Sequence, residues 1–249
     1  MKFNILTLIV FSFGLSAFPQ NLLLGQEIDS IPKAAAPKKE VRPYMRYPKT
    51  KREWGFQFGT GLTLTKLPTE IVEEEINQSP MINVSCRFDT PSKFWMFAQL
   101  KTNYIANYFV LGGNYTIIND RWSVSIGNDI AVWFGHVEFG DFSLKARGLI
   151  TYPNITIGLD MDDFFLSLKT ELQHSVMLTD VDGAYFGHTQ ENRPGIGFTI
   201  AIEQPFWNDN WVIIGVKLNY TSFYYQTWLS YSTLDEYLLF PELIFTFIL

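Results

Sequence analysis

The sequence has one cysteine, three histidines and little charge. A single thiol rules out an intramolecular disulfide, so an exported protein of this composition needs another source of stability. Cys86 lies in an alternating stretch with Val84 and Phe88, with no histidine beside it. It reads as an apolar strand residue rather than a nucleophile. Charged residues make up 18% of the chain, below the roughly 25% of ordinary soluble domains. After the N-terminus no stretch stays apolar for the roughly 20 residues a membrane helix requires. Phosphate loops, zinc spacings and dinucleotide fingerprints are all missing. The net charge of -6 argues against nucleic acid as a partner.

What is present is apolar and aromatic: 47% hydrophobic and 16% Phe, Trp and Tyr over 249 residues. The first residues read as a secretory signal, with Lys2, an apolar core from Ile5 to Leu15, and Ser16-Ala17 opening a cleavage region. The expected signal spans residues 1–20, with cleavage anywhere from Ala17 to Gln26. Residues 27–53 form a basic tether, in which Pro32, Pro37, Pro43 and Pro48 recur among Lys33, Lys38, Lys39, Arg42, Arg46, Lys49, Lys51 and Arg52. Such a composition cannot bury a core and is expected to be extended. Its charge suits either solvation or an acidic partner.

From Trp54 the pattern has period two. Trp54, Phe56, Phe58, Leu62 and Leu64 alternate with Gly55, Gln57, Gly59, Gly61 and Thr63. Large apolar side chains on one face and small or polar ones on the other describe a β-barrel wall with lipid outside and a crowded lumen inside. Further strands are expected near 80–89, 93–104, 107–118, 121–135, 142–159, 163–176, 194–206, 211–224 and 237–249, ten in all. Short turns rich in Asp, Asn and Pro fall at 89–92, 119–120, 160–163 and 208–210. Mostly longer connections lie between them, near 66–79, 104–107, 136–142, 177–193 and 225–236. The expected fold is an all-β transmembrane antiparallel up-and-down barrel over 54–249. It has about ten strands, or eight if the short hairpin between the third and fourth is lost. Pro153 calls for a bulge or break in the sixth strand. Trp122, Trp207 and Trp211 beside short turns, and Tyr224, Tyr225, Trp228 and Tyr231 toward the other end, suit two interfacial girdles.

The last strand carries Leu239, Leu243, Phe245, Phe247 and Leu249 on one face and Glu242 and Thr246 on the other. Exposed to water, it would invite edge pairing; in lipid it closes a barrel, with the first strand as partner. The inward register contains Arg87, Gln99, Lys101, Asn103, Asp129, Lys169, Glu171, Glu203, Lys217 and Glu242. A ten-stranded interior is narrow, so these charges are expected to pair and plug it rather than line a channel.

Candidate chemistry is sparse. Ser175, His174 or His188, and Asp180 or Asp182 hold the residue types of a hydrolytic site at the rim. The Asp-rich turn 160–163 and Asp180/Asp182 offer carboxylate oxygens of the kind calcium takes, without EF-hand spacing. Glu70, Glu73, Glu74 and Glu75 form an acidic stretch in the first long loop. Two enzyme families provide templates. Lipid A deacylases place His and Ser two residues apart, whereas here Gln190 follows His188 at that distance and Ser175 follows His174 directly. Omptin-like proteases pair two Asp residues with an Asp-x-His element. Asp180-Val181-Asp182 resembles the first half, and the chain has no Asp-x-His. No catalytic, cofactor or metal residue is therefore assigned.

Signal, basic tether, ten alternating strands and apolar final strand together resemble the small outer-membrane β-barrel proteins of Gram-negative bacteria. The tether and aromatic density are similar to barrels of the Bacteroidetes type, some of which are accessories of secretion or assembly machines. The final residue, Leu249, departs from the aromatic usual in that family. The resemblance implies an outer-membrane location with both termini periplasmic. It also implies contact with outer-membrane lipid and lipopolysaccharide, and recognition of the C-terminal strand by the barrel assembly machinery. The expected function is a non-enzymatic structural or accessory subunit that binds another envelope protein. A narrow pore or carrier for small solutes, and a rim-located lipid- or peptide-hydrolysing enzyme, are the alternatives.

Overall fold

The computed structural model describes residues 43–45, 53–68, 78–139, 142–180, 195–207, 210–222 and 237–249. Ten strands account for nearly all of them: β1 (Gly55–Lys66), β2 (Gln78–Asp89), β3 (Phe94–Thr102), β4 (Ala106–Asn119), β5 (Trp122–Phe139), β6 (Phe142–Asp160), β7 (Phe165–Asp180), β8 (Gly195–Pro205), β9 (Trp211–Thr221) and β10 (Leu238–Ile248). Each pairs antiparallel with its sequence neighbours, and β1 pairs with β10, so the sheet closes into a transmembrane barrel. The eight-strand alternative fails because the short β3–β4 hairpin is intact. The Asn103 side chain accepts from the Ala106 amide at 2.8 Å, and Tyr104 takes a left-handed φ of 74° to complete the turn.

The alternation read from the sequence is the alternation of the wall. Phe56, Leu62, Ile82, Leu111, Ile130, Ile155, Ile200 and Ile214 are exposed on the outside, while Arg87, Asn114, Glu203, Asn219 and Glu242 are essentially inaccessible inside. That is a soluble fold turned inside out, stable against hydrocarbon and not against water. The four short turns and the free ends of β1 and β10 share one end of the barrel. There the chain is tied tightly: the Thr90 hydroxyl donates to the Phe94 carbonyl at 2.7 Å, and the Asp162 amide donates to Asp160 Oδ1 at 3.1 Å.

Three expectations need correction. β5, β6 and β7 extend into the connections expected at 136–142 and 177–193, pairing as far as Phe139↔Phe142 and Ala146↔Asp180. His136 and Glu138 gave that stretch the polarity of a loop, but strands that project beyond the lipid belt carry polar side chains too. Pro153 does not break β6: the strand passes straight through it, pairing Pro153 with Asn128 of β5. The missing N–H shows instead as a gap in the β6–β7 ladder between Thr151↔His174 and Asn154↔Glu171. Trp211 is not a girdle residue. It lies in the inward register opposite Ile248 and stacks on Phe165 with ring centroids 5.6 Å apart. Trp122 and Trp207 do face outward. The loop residues 69–77, 181–194 and 223–236, with their acidic stretch and aromatics, lie outside the described residues.

Closure leaves almost no room at Gly61. A Cβ there would collide with the Phe245 carbonyl oxygen and come within 2.7 Å of Thr246 Cα, both backbone atoms of the closing strand. At Gly113 the nearest atom is the Phe94 ring at 3.2 Å, which can shift. Gly61→Val is therefore expected to abolish the folded, heat-modifiable band on unheated denaturing gels, while Gly113→Ala keeps it. Equal behaviour of the two variants would refute tight β1–β10 closure.

Candidate functional site

The lumen is the place where this chain concentrates its polar chemistry, and it is built in three layers. Nearest the short turns, Arg87 and Asp89 lie two residues apart on β2 and so face the same way. Arg87 donates from Nε to Asp89 Oδ1 at 2.8 Å, and its Nη2 approaches the same oxygen at 2.7 Å. Its guanidinium stacks over Trp95 of β3 at 4.2 Å from the ring centroid. The remaining donor, Nη1, bonds the backbone carbonyls of Pro43, at 3.0 Å, and of Tyr44. Across the barrel, Glu203 of β8 accepts from the Tyr44 amide at 2.5 Å and from the Met45 amide at 3.0 Å. Pro43, Tyr44 and Met45 thus lie inside the barrel, held by their main chain between a buried cation and a buried anion. Tyr44 and Met45 also pack, with Trp211, against Ala201, Ile213 and Ile248.

Above this clamp lies an ionic layer with three lysines and three carboxylates from five strands. Lys169 meets Asp129 at 2.5 Å and Glu171 at 3.5 Å; Lys217 meets Glu171 at 2.5 Å; Lys101 stands 3.9 Å from Glu242. Each lysine also lies over an aromatic ring: Lys101 over Tyr108, Lys169 over Phe97 and Lys217 over Tyr152, at 5.6–5.9 Å. Balanced charge and aromatic faces offset the loss of hydration that each buried ion suffers. Toward the far end, Leu67, Met81, Trp133, Ile150 and Phe240 form an apolar layer. Between the clamp and the ionic layer remains a cavity of about 150 Å³, bordered by Tyr44, Lys101, Asp129, Lys169 and Glu171.

The inward register was legible residue by residue, but the clamp was not. Nothing in the composition of 27–53 announces that three of its residues enter the barrel. The available signal was Pro43-Tyr44-Met45 itself, an apolar interruption of a Lys- and Pro-rich run. The rim candidates are not brought together. His174 and Ser175 are consecutive on one strand and pair with Thr151 and Ile150, so they point to opposite sides of the wall. His136 faces Glu138 at 3.8 Å on the exposed hairpin. Asp160 holds its own turn. Asp182 and His188 lie outside the described residues, as does the side chain of Asp180. Among the described residues no group of three or more His, Cys, Asp or Glu could hold a metal ion.

No protein-family model and no curated protein matches the chain. Among solved structures it is similar to the outer membrane protease OmpT from Escherichia coli, at 10% identity and a TM-score of 0.40, covering 78% of this chain and 94% of that one. A likeness of that depth carries no argument about activity.

Removing one member of a buried pair strands the other. Lys169→Met should cost about 3–5 kcal/mol of stability, and Lys169→Met with Asp129→Leu should recover part of that. Denaturant titrations in detergent measure both; equal loss in single and double variants would contradict the pairing. Arg87→Ala should free the tether and speed tryptic cleavage after Arg46 in the folded barrel. Unchanged cleavage would mean that Arg87 does not hold the segment.

Proposed function

We propose that this protein is a non-enzymatic outer-membrane barrel, a structural or accessory subunit that anchors its own basic tether and through it binds another envelope protein. The observation that carries this reading is the main-chain clamp on Pro43–Met45 by Arg87 and Glu203. A wall that spends a fully buried arginine and a fully buried glutamate on holding a tether fixes the tether in place. The run from Lys33 to Arg42, just before the clamp, then becomes a tethered cationic segment suited to an acidic surface. The narrow-pore alternative is disfavoured by side chains and tether filling the lumen. The hydrolase alternative is disfavoured by His174 and Ser175 facing opposite ways.

The outer-membrane placement rests on the apolar outer surface of the closed wall and on the expected signal. Both termini are taken as periplasmic because the short turns and the ends of β1 and β10 share one end. The tether and aromatic density suit a barrel of the Bacteroidetes type. Lipid and lipopolysaccharide would cover the belt, and the assembly machinery would engage β10.

The test is affinity purification from native membranes in mild detergent, with the intact chain and with residues 27–42 deleted so that the clamped segment remains. A stoichiometric envelope protein should accompany the intact chain, leave it in high salt, and be lost on deletion. The intact protein should be silent in planar bilayers. Stable single-channel steps, or a chain that purifies alone, would overturn the reading.

A further inference from the structure

The outer surface contains a polar flaw. Between the level of Trp122 and that of Arg147, outward-facing side chains among the described residues are mostly apolar or aromatic. The polar ones are Thr60 on β1, several toward the strand ends (Lys66, Gln78, Gln204, and Thr102 with Asn107, bonded to each other at 2.7 Å), and four neighbours on adjacent strands that reach deeper into the belt: Asn128 of β5, Thr151 of β6, and Thr170 and His174 of β7. Asn128 sits deep in the belt. Ile126 and Ile130 flank it on β5, each about half exposed, with Val132 above and Ile155 and Ile157 below on the neighbouring strand. Six residues above Trp122 on a tilted strand, it stands about 15 Å from that interface, near mid-membrane. The β6–β7 ladder is interrupted at the same height, at Tyr152–Pro153.

The chemistry of Asn128 says what should cover it. Its side-chain oxygen accepts from the Thr151 hydroxyl at 2.9 Å. An amide oxygen has two lone pairs and an amide nitrogen two donors. One lone pair therefore remains, and among the described residues no acceptor meets the nitrogen. Hydrocarbon satisfies neither, and leaving a polar group in it unpaired is costly. An amide is its own complement: placed across a two-fold axis, each Asn128 donates one Nδ2 hydrogen to the free lone pair of the other, so both oxygens are filled and each nitrogen gains an acceptor. We infer that the barrel forms a homodimer through the outer face of β5–β7, with the two copies of Asn128 paired across the axis. The interface is isologous, as a two-fold contact between identical chains must be. Thr151 and its neighbours on β7 give it a polar centre, and the surrounding isoleucines give it a rim that packs.

Two sets of variants test this in native membranes. In a Cys86→Ala background, Asn128→Cys is compared with Leu62→Cys on β1, which lies across the barrel from β6. Oxidation should link Asn128→Cys chains to one another and leave Leu62→Cys chains unlinked, with the adduct identified by mass spectrometry. Separately, Asn128→Leu with His174→Leu should keep the heat-modifiable folded band, since apolar side chains suit lipid, while native mass spectrometry shows loss of the dimer. Three results would each overturn the inference: Asn128→Cys chains that fold but remain unlinked or join a different protein, a wild-type chain that is monomeric in mild detergent, or a leucine variant that stays dimeric. None of them bears on the tether-dependent partner, which is read from the 27–42 deletion.

Discussion

Everything in this structure follows from the pairing of β1 with β10. In hydrocarbon each backbone N–H and C=O must find its partner within the protein, and a sheet achieves that only by closing on itself. Closure at Gly59↔Ile248 through Thr65↔Glu242 removes both edges. It also creates an interior, and ten strands make that interior narrow. The polar half of the alternating pattern is thereby forced into a space with little room for water. The charges there have to be balanced by one another.

The balance is detailed. Three lysines and three carboxylates share the middle of the lumen, and rings from β3, β4 and β6 lie against the cations. The same logic operates at the short-turn end with a different partner. Arg87 and Glu203 are oppositely charged and face the same lumen, yet what they bind in common is backbone. The guanidinium takes consecutive carbonyls of Pro43 and Tyr44, and the carboxylate takes consecutive amides of Tyr44 and Met45. A peptide segment supplies both signs of partial charge, so it can bridge two ions that sit on different strands. The tether is in this sense part of the core, completing pairs that the wall begins.

Period-two patterning made the wall readable. Because side chains alternate without exception along a regular strand, Glu242 could be placed in the lumen opposite lysine-bearing strands, and Leu62 in lipid, from sequence alone. Reading failed where alternation carries no information. Trp211 sits beside a turn, as a girdle residue would, but its register puts it inside. Strand ends at Phe139 and Asp180 were missed because projecting hairpins leave the lipid and lose their apolar face. Pro43–Met45 was missed for a deeper reason. The clamp reads main chain, and main-chain hydrogen bonding leaves almost no trace in the side chains that a sequence displays.

The inside and the outside of the wall obey one rule with different resources. Inside, a buried donor can be met by any of ten strands or by the tether, and the chain meets nearly all of its ions itself. Outside, a strand sees two neighbours and lipid. Thr151 reaches Asn128 and satisfies one site; no third strand exists to satisfy the rest. Where the neighbouring strands fall short, as at Asn128, a polar group deep in the belt can be met further only by another protein. An asparagine offers a donor and an acceptor that an identical copy meets symmetrically, whereas a lysine or a glutamate in that position would repel its own image. The choice of amide over charge at position 128 is what turns a flaw in the belt into a contact between copies.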